Sequence, residues 1–219
     1  MKRLSLYLVM LGGLAHGLAA QGDVRAQLVG RVSPDLLQLV VTLADSAKAL
    51  RLPDAPLVNK ALEGAAKGVA PDRIALAVQG VFGQLNTAAS VMRSAGAAPT
   101  AQEIEAGAFA LGAGLTSNDV AALSETADRN HPAMAVLQVA GALAALGVPR
   151  AQTVGLVQAE VHSGLPLGDL TNLPAQVQAA AASGVPPDAA ASGLERAAQA
   201  HAGQSVQPKG RAKGNPHRP

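Results

Sequence analysis

Gly147-Val148-Pro149 and four segments like it decide how this chain folds. The others are Gly68-Val69-Ala70-Pro71, Gly96-Ala97-Ala98-Pro99, Gly164-Leu165-Pro166 and Gly184-Val185-Pro186-Pro187, with Gly114-Leu115-Thr116 as a proline-free relative. A glycine just past a helix end supplies the left-handed backbone that closes the last turn. The apolar residue after it packs back on that turn, and proline is tolerated in the first turn of a new helix. The chain therefore reads as helix, tight corner, helix, repeated.

The segments between corners carry helical periodicity. Ser33-Pro34-Asp35 combines a capping serine, a first-turn proline and an acid near the positive helix end. Leu36, Val40, Leu43, Ala47 and Leu50 follow on one face, with a stop near Leu52 before Pro53. A second helix over 56–67 buries Val58, Leu62 and Ala65 and pairs Glu63 with Lys67 one turn on. A third, after Pro71-Asp72, buries Ile74, Val78, Val81, Leu85 and Met92. Residues 74–92 carry no charge, yet Gln79, Gln84, Asn86, Thr87 and Ser90 favour a central core helix over a membrane span.

Thr100 with Glu103 and Thr116 with Asp119 are capping boxes opening helices over 101–113 and 117–128. Arg129-Asn130-His131-Pro132 breaks the chain. Met134 to Leu146 is apolar all round except for Gln138, so this helix is expected to be the most enclosed. A helix over 150–163 buries Val154, Val157 and Val161. Residues 165–173 read as a turn-rich connector, followed by helices over 174–183 and 187–201. The six corner glycines fall 28, 18, 33, 17 and 20 residues apart, too uneven for a regular array. The expected fold is all-α, an irregular stack of antiparallel helical hairpins with about nine helices. A compact helical bundle is the alternative.

The ends differ from the body. Lys2 and Arg3 precede an apolar run from Leu4 to Leu14 and a small-residue stretch from Ala15 to Ala20, the form of a secretory signal peptide over 1–20. The run is short for an uncleaved anchor, which needs roughly 20 residues. Residues 21–32 read as a linker or weak helix, 33–202 as the helical domain and 203–219 as a disordered basic tail. The whole chain has 17 Lys and Arg against 15 Asp and Glu. Lys2 and Arg3 belong to the leader, and Lys209, Arg211, Lys213 and Arg218 to the tail, so the body carries 11 cations against 15 acids. An acidic body with almost no aromatics argues against a nucleic-acid surface. With no cysteine, disulfides, thiol catalysis and thiolate metal sites are excluded. The mature protein is expected outside the cytoplasm, secreted or periplasmic, as a monomer without a transmembrane helix.

The run Lys60-Ala61-Leu62-Glu63-Gly64-Ala65-Ala66-Lys67-Gly68-Val69-Ala70-Pro71-Asp72-Arg73-Ile74 resembles a turn of uncharacterised secreted bacterial proteins, Ala-rich and helical, with Gly-Val-Pro-Pro corners. Here Ala70 departs from the doubled proline. The resemblance implies location and helical form. It brings no activity and no site.

No constellation in the body announces chemistry. Of His131, His162 and His201, none lies one helical turn from another, and no His-Glu-x-x-His pair exists, so no metal or cofactor is expected. Asp128 and His131 can meet at a helix end, where the helix dipole suffices to explain a histidine. Glu160 could act as a lone proton donor, as single-acid glycan-cleaving enzymes do, but an exposed carboxylate is the expected state, as for Glu103 and Glu105. Gly112-Ala113-Gly114 lacks the third glycine and preceding strand of a dinucleotide fingerprint.

Glycines within helices remain: Gly64, Gly80, Gly83, Gly107, Gly141 and Gly155, each costing about 1 kcal/mol relative to alanine. Close packing between Ala-rich helices explains them, or else a shallow apolar groove, with Gly80, Phe82, Gly83, Gly107 and Phe109 its candidate lining. The sequence thus favours a non-enzymatic, exported structural or interaction module whose partner is an envelope protein. A periplasmic carrier holding an apolar ligand between helices is the rival, and a glycan-cleaving enzyme a distant third.

Overall fold

A computed structural model describes residues 23–205, with side chains through residue 200. The signal segment and residues 206–219 lie outside the described residues, while 203–205, expected as the start of the tail, belong to the last helix. Ten helices and no strand occur among the described residues: α1 Val24–Leu28, α2 Pro34–Ala49, α3 Ala55–Ala66, α4 Pro71–Ser94, α5 Ala101–Gly112, α6 Ser117–Thr126, α7 Ala133–Ala145, α8 Arg150–His162, α9 Leu167–Ala182 and α10 Pro187–Ser205.

The corner at Gly147 shows how each fold-back is made. Gly147 has φ +90° and donates its N–H to Ala144 O at 3.0 Å, while Val148 N–H reaches Leu143 O at 3.2 Å. That crossed pair satisfies two carbonyls a helix end would otherwise leave open. The same pair closes the corners at Gly68, Gly96, Gly114, Gly164 and Gly184. Val148 and Leu115 are buried, as a residue folded back on its helix should be, whereas Val69 and Val185 stay about 40% exposed. Pro71 and Pro187 open their helices, but Pro149 and Pro166 sit one step earlier, as extended caps. Both capping boxes form in full: Thr100 and Thr116 each accept from the third helical N–H, and Glu103 and Asp119 reach back to the cap.

A seventh corner of this kind was hidden in the sequence. Arg51-Leu52-Pro53 adopts the geometry of glycine, apolar residue and proline, with Arg51 at φ +55°. Arg51 N–H bonds Lys48 O at 3.0 Å, and Leu52 N–H bonds Ala47 O at 2.8 Å. Leu50, expected on the buried face of α2, is therefore carried outward to 44% exposure, and Leu52 takes the buried place. Arg51 is the one non-glycine residue with positive φ among the described residues, which costs about 1 kcal/mol relative to glycine.

Every substantial helix contact joins elements one or two steps apart in the chain. That is the pattern of a stack, since a compact bundle would return late helices to early ones. The apolar core accordingly has two parts. One is built by α1 to α4 with Ile104 and Ala108 of α5, the other runs from Met92 of α4 to Ala191 of α10, and Leu111 of α5 packs against both. As expected, α7 is the most enclosed helix, burying seven residues from Ala135 to Leu143 while Gln138 is exposed.

Two stretches differ from expectation. Within 21–32, α1 forms, and its Val24 and Leu28 are buried in the N-terminal core. The supposed connector at 165–173 is helical, because α9 begins at Leu167 and runs through Pro174. An interior proline costs about 3 kcal/mol. Leu170, Leu173 and Val177, at most 1% exposed, each recover about 1.5–3 kcal/mol by burial, so packing wins. Helix α4 is long and apolar enough to cross a membrane, with a mean hydropathy of 1.2 over its best window. It packs on α2, α3, α5 and α6, yet only 28% of that window is buried, so α4 is central in position while keeping an open, uncharged face.

Candidate functional site

The helix glycines divide into two groups. A Cβ on Gly107 would lie 2.8 Å from the Met92 methyl and 3.0 Å from Ala88 Cβ; one on Gly64 would lie 2.7 Å from Ile74. On Gly141 it would strike the Phe109 ring at 2.6 Å, and on Gly155 the Glu195 carboxylate at 2.9 Å. These four let neighbouring helices approach closely. Gly80 and Gly83 instead face open space, on the outer side of α4 near Leu76, which is 69% exposed.

The five candidate groove residues are thus spread over different surroundings. Phe82 packs half-buried against the N-terminal core, whereas Phe109 is 45% exposed and lays its ring over the bare backbone of Gly141 in α7. Gly107 is buried against Met92 and Ala88, so the space beside it is filled. A cleft of about 450 Å³ lies elsewhere, where the N-terminal turns of α2 and α4 run side by side. Ser33, Asp35, Leu36 and Leu39 line one wall, Asp72 and Ala75 the other. Asp35 and Asp72 occupy the first turns of their helices, where the dipole favours carboxylates, and their charge suits the cleft poorly to an apolar ligand.

His131 has a different role from the expected dipole partner. It is 3% exposed, in the loop between α6 and α7, and its ring joins two distant segments. Nδ1 lies 3.1 Å from Asp128 Oδ1, and Nε2–H donates to Leu165 O at 2.6 Å, across 34 residues, in the corner between α8 and α9. Asp128 Oδ1 also accepts the N–H groups of Asn130 and His131, both at 2.7 Å. The His131 backbone N–H is the chief cause that holds the Asp128 carboxyl below the ordinary aspartate range. With both ring nitrogens engaged, His131 serves as a bracket between corners.

Glu160 was expected to be exposed and is 6% exposed, on the face of α8 that turns inward; His162, two residues on, is exposed. Glu103 is committed to its capping box. No group of three or more His, Asp or Glu side chains fit to hold a metal ion occurs among the described residues. The sequence reading missed a cluster at the C-terminal ends of α2 and α4. Arg93 Nη2 donates to Arg51 O at 3.2 Å across 42 residues, beside exposed Lys48 and Leu50. Its one sign in the sequence was Leu52-Pro53, the apolar residue and proline of a corner, concealed because arginine stands where the other corners have glycine.

Compared with family models, curated proteins and solved structures, the chain matches none.

Proposed function

We propose that this chain is an exported, non-enzymatic helical stack that works as a structural or interaction module outside the cytoplasm. The observation that carries the reading is where its exposed apolar side chains lie. Of the seven large ones among the described residues, Val69 and Val185 are corner residues, Leu50 and Leu167 flank corners as the cap of α2 and the first residue of α9, Val29 caps α1, and Leu76 and Phe109 lie in helix interiors. Corners fixed by crossed backbone bonds form a rigid frame, and side chains displayed on such a frame are well placed to meet a partner. The leader-like segment, with Lys2-Arg3 before Leu4 to Leu14, supports export.

Hydrogen-exchange mapping with and without envelope extract tests this. Slower exchange at residues 29–32, 50–53 and 67–70 supports a partner surface. Protection confined to the Phe82 and Phe109 helices, together with a rise in Tm on adding fatty acid, would instead make the protein a carrier. No change in either experiment refutes both.

A further inference from the structure

From the corner between α2 and α3 we infer a second property: Lys48, Arg51 and Arg93 form a docking site for the phosphate groups of an anionic lipid surface. Among the described residues, six of the seven corners of this type use glycine at the left-handed position, and this one holds an arginine there. Backbone strain retained where glycine would remove it points to a use for the side chain.

The surroundings say what that use is. Lys48 stands in the last turn of α2, three residues before Arg51, and Arg93, in the last turn of α4, places its guanidinium on the Arg51 carbonyl, so that two helix ends carrying cations meet at this corner. All three are exposed, and none takes part in an ion pair among the described residues. Asp45, on α2, and Asp54, at the start of α3, are the nearest carboxylates in sequence, and neither pairs with them. The pull of helix C-termini accounts for Lys48 and Arg93. It leaves Arg51 unexplained, because Lys48 already supplies a cation to that end of α2.

Guanidinium groups match phosphate oxygens with paired N–H donors, and Arg93 spends only one of its five on the carbonyl. Leu50, 44% exposed beside the cations, adds an apolar side chain that can enter the headgroup layer. An exposed leucine next in sequence to Arg51 favours a lipid surface over a soluble phosphate. The inference deepens the interaction reading and rests on it only for where such a surface is met.

The test is co-sedimentation of the chain from Gln21 to Pro219, which keeps every described residue, with phosphatidylglycerol–phosphatidylcholine vesicles and with phosphatidylcholine alone. Binding is expected only with phosphatidylglycerol. Arg51→Gly should weaken it about fivefold, the share of one surface cation, while raising Tm by about 2–4 °C through relief of the left-handed backbone. Arg129→Gln, which removes an exposed charge elsewhere, should stay within about twofold of the parent. Undiminished binding by Arg51→Gly overturns the site, and so does an equal loss in Arg129→Gln. Displacement of the vesicles by millimolar glycerol phosphate overturns the lipid assignment. Failure in any of these leaves the hydrogen-exchange experiment with envelope extract unaffected, so the two readings fall separately.

Discussion

Replacing Pro174 with alanine separates two descriptions of the same residues by the sign of its effect. If residues 165–173 were a connector and a helix began at Pro174, the proline would be pre-organised in a first turn. Alanine would then lose about 0.4–1 kcal/mol by freeing the unfolded chain. In the structure Pro174 is the eighth residue of α9, where it deprives Leu170 O of a donor and crowds the preceding turn. Alanine restores that bond and carries the best helix propensity, a gain of about 2–3 kcal/mol. For a domain of this size the gain corresponds to a rise in Tm of about 4–12 °C. Leu170, Leu173 and Val177 keep their buried places in both variants, so core packing does not confuse the result. Calorimetry of Pro174→Ala beside the parent reads the difference directly. An unchanged or lowered Tm would refute a continuous α9 and return 165–173 to a loop.

Gly80→Ala and Gly107→Ala should move stability in opposite directions on urea unfolding. The first fills open space and gains about 0.5–1 kcal/mol, while the second drives a methyl to 2.8 Å from Met92 and loses about 1–3 kcal/mol. His131→Leu leaves the Leu165 carbonyl without its ring donor, while Asp128 keeps its two backbone N–H groups, and should lower Tm with faster exchange at 164–166. Since folding lowers the Asp128 pKa, its stabilisation is present above the ordinary carboxylate range and is lost as pH falls through the lowered value. Asp128→Asn should therefore flatten the acid limb of a plot of Tm against pH and leave its neutral region the same shape.

The corners were legible because a short motif sets each of them: glycine for the left-handed residue, an apolar residue to fold back, proline or a capping threonine to restart. Capping boxes at Thr100 and Thr116 and the apolar faces between corners were legible for the same reason, since each needs residues no more than a few positions apart. What escaped depends on contacts between elements. Pro174 is a helix breaker locally, and only the shared core under Leu170 and Leu173 overrides it. Val24 and Leu28 look too sparse for a helix until α2 and α3 supply the surface they bury against. Gly80 and Gly107 are the same residue type on neighbouring helices, and nothing local tells the open one from the packed one. His131 escaped likewise, because the Leu165 carbonyl that holds its ring lies 34 residues away.

Arg51 shows that the corner is defined by geometry and only advertised by glycine. The crossed bonds at Arg51 and Leu52 equal those at Gly147 and Val148, and the chain turns as tightly at both. Had glycine stood at 51, the motif would have marked this corner too, and the spacing of corners would have extended one helix pair further toward the N-terminus. The substitution adds a strain of about 1 kcal/mol, comparable to the whole benefit of a cation at an exposed helix end, which Lys48 provides without strain. Helix formation therefore gives no reason for arginine here, and neither does packing, since the side chain is exposed. The remaining reason lies in what a guanidinium does in solvent, which is to hold an anion. In a stack whose other corners of this type all use glycine for the turn, the exception marks where folding and function ask for different residues.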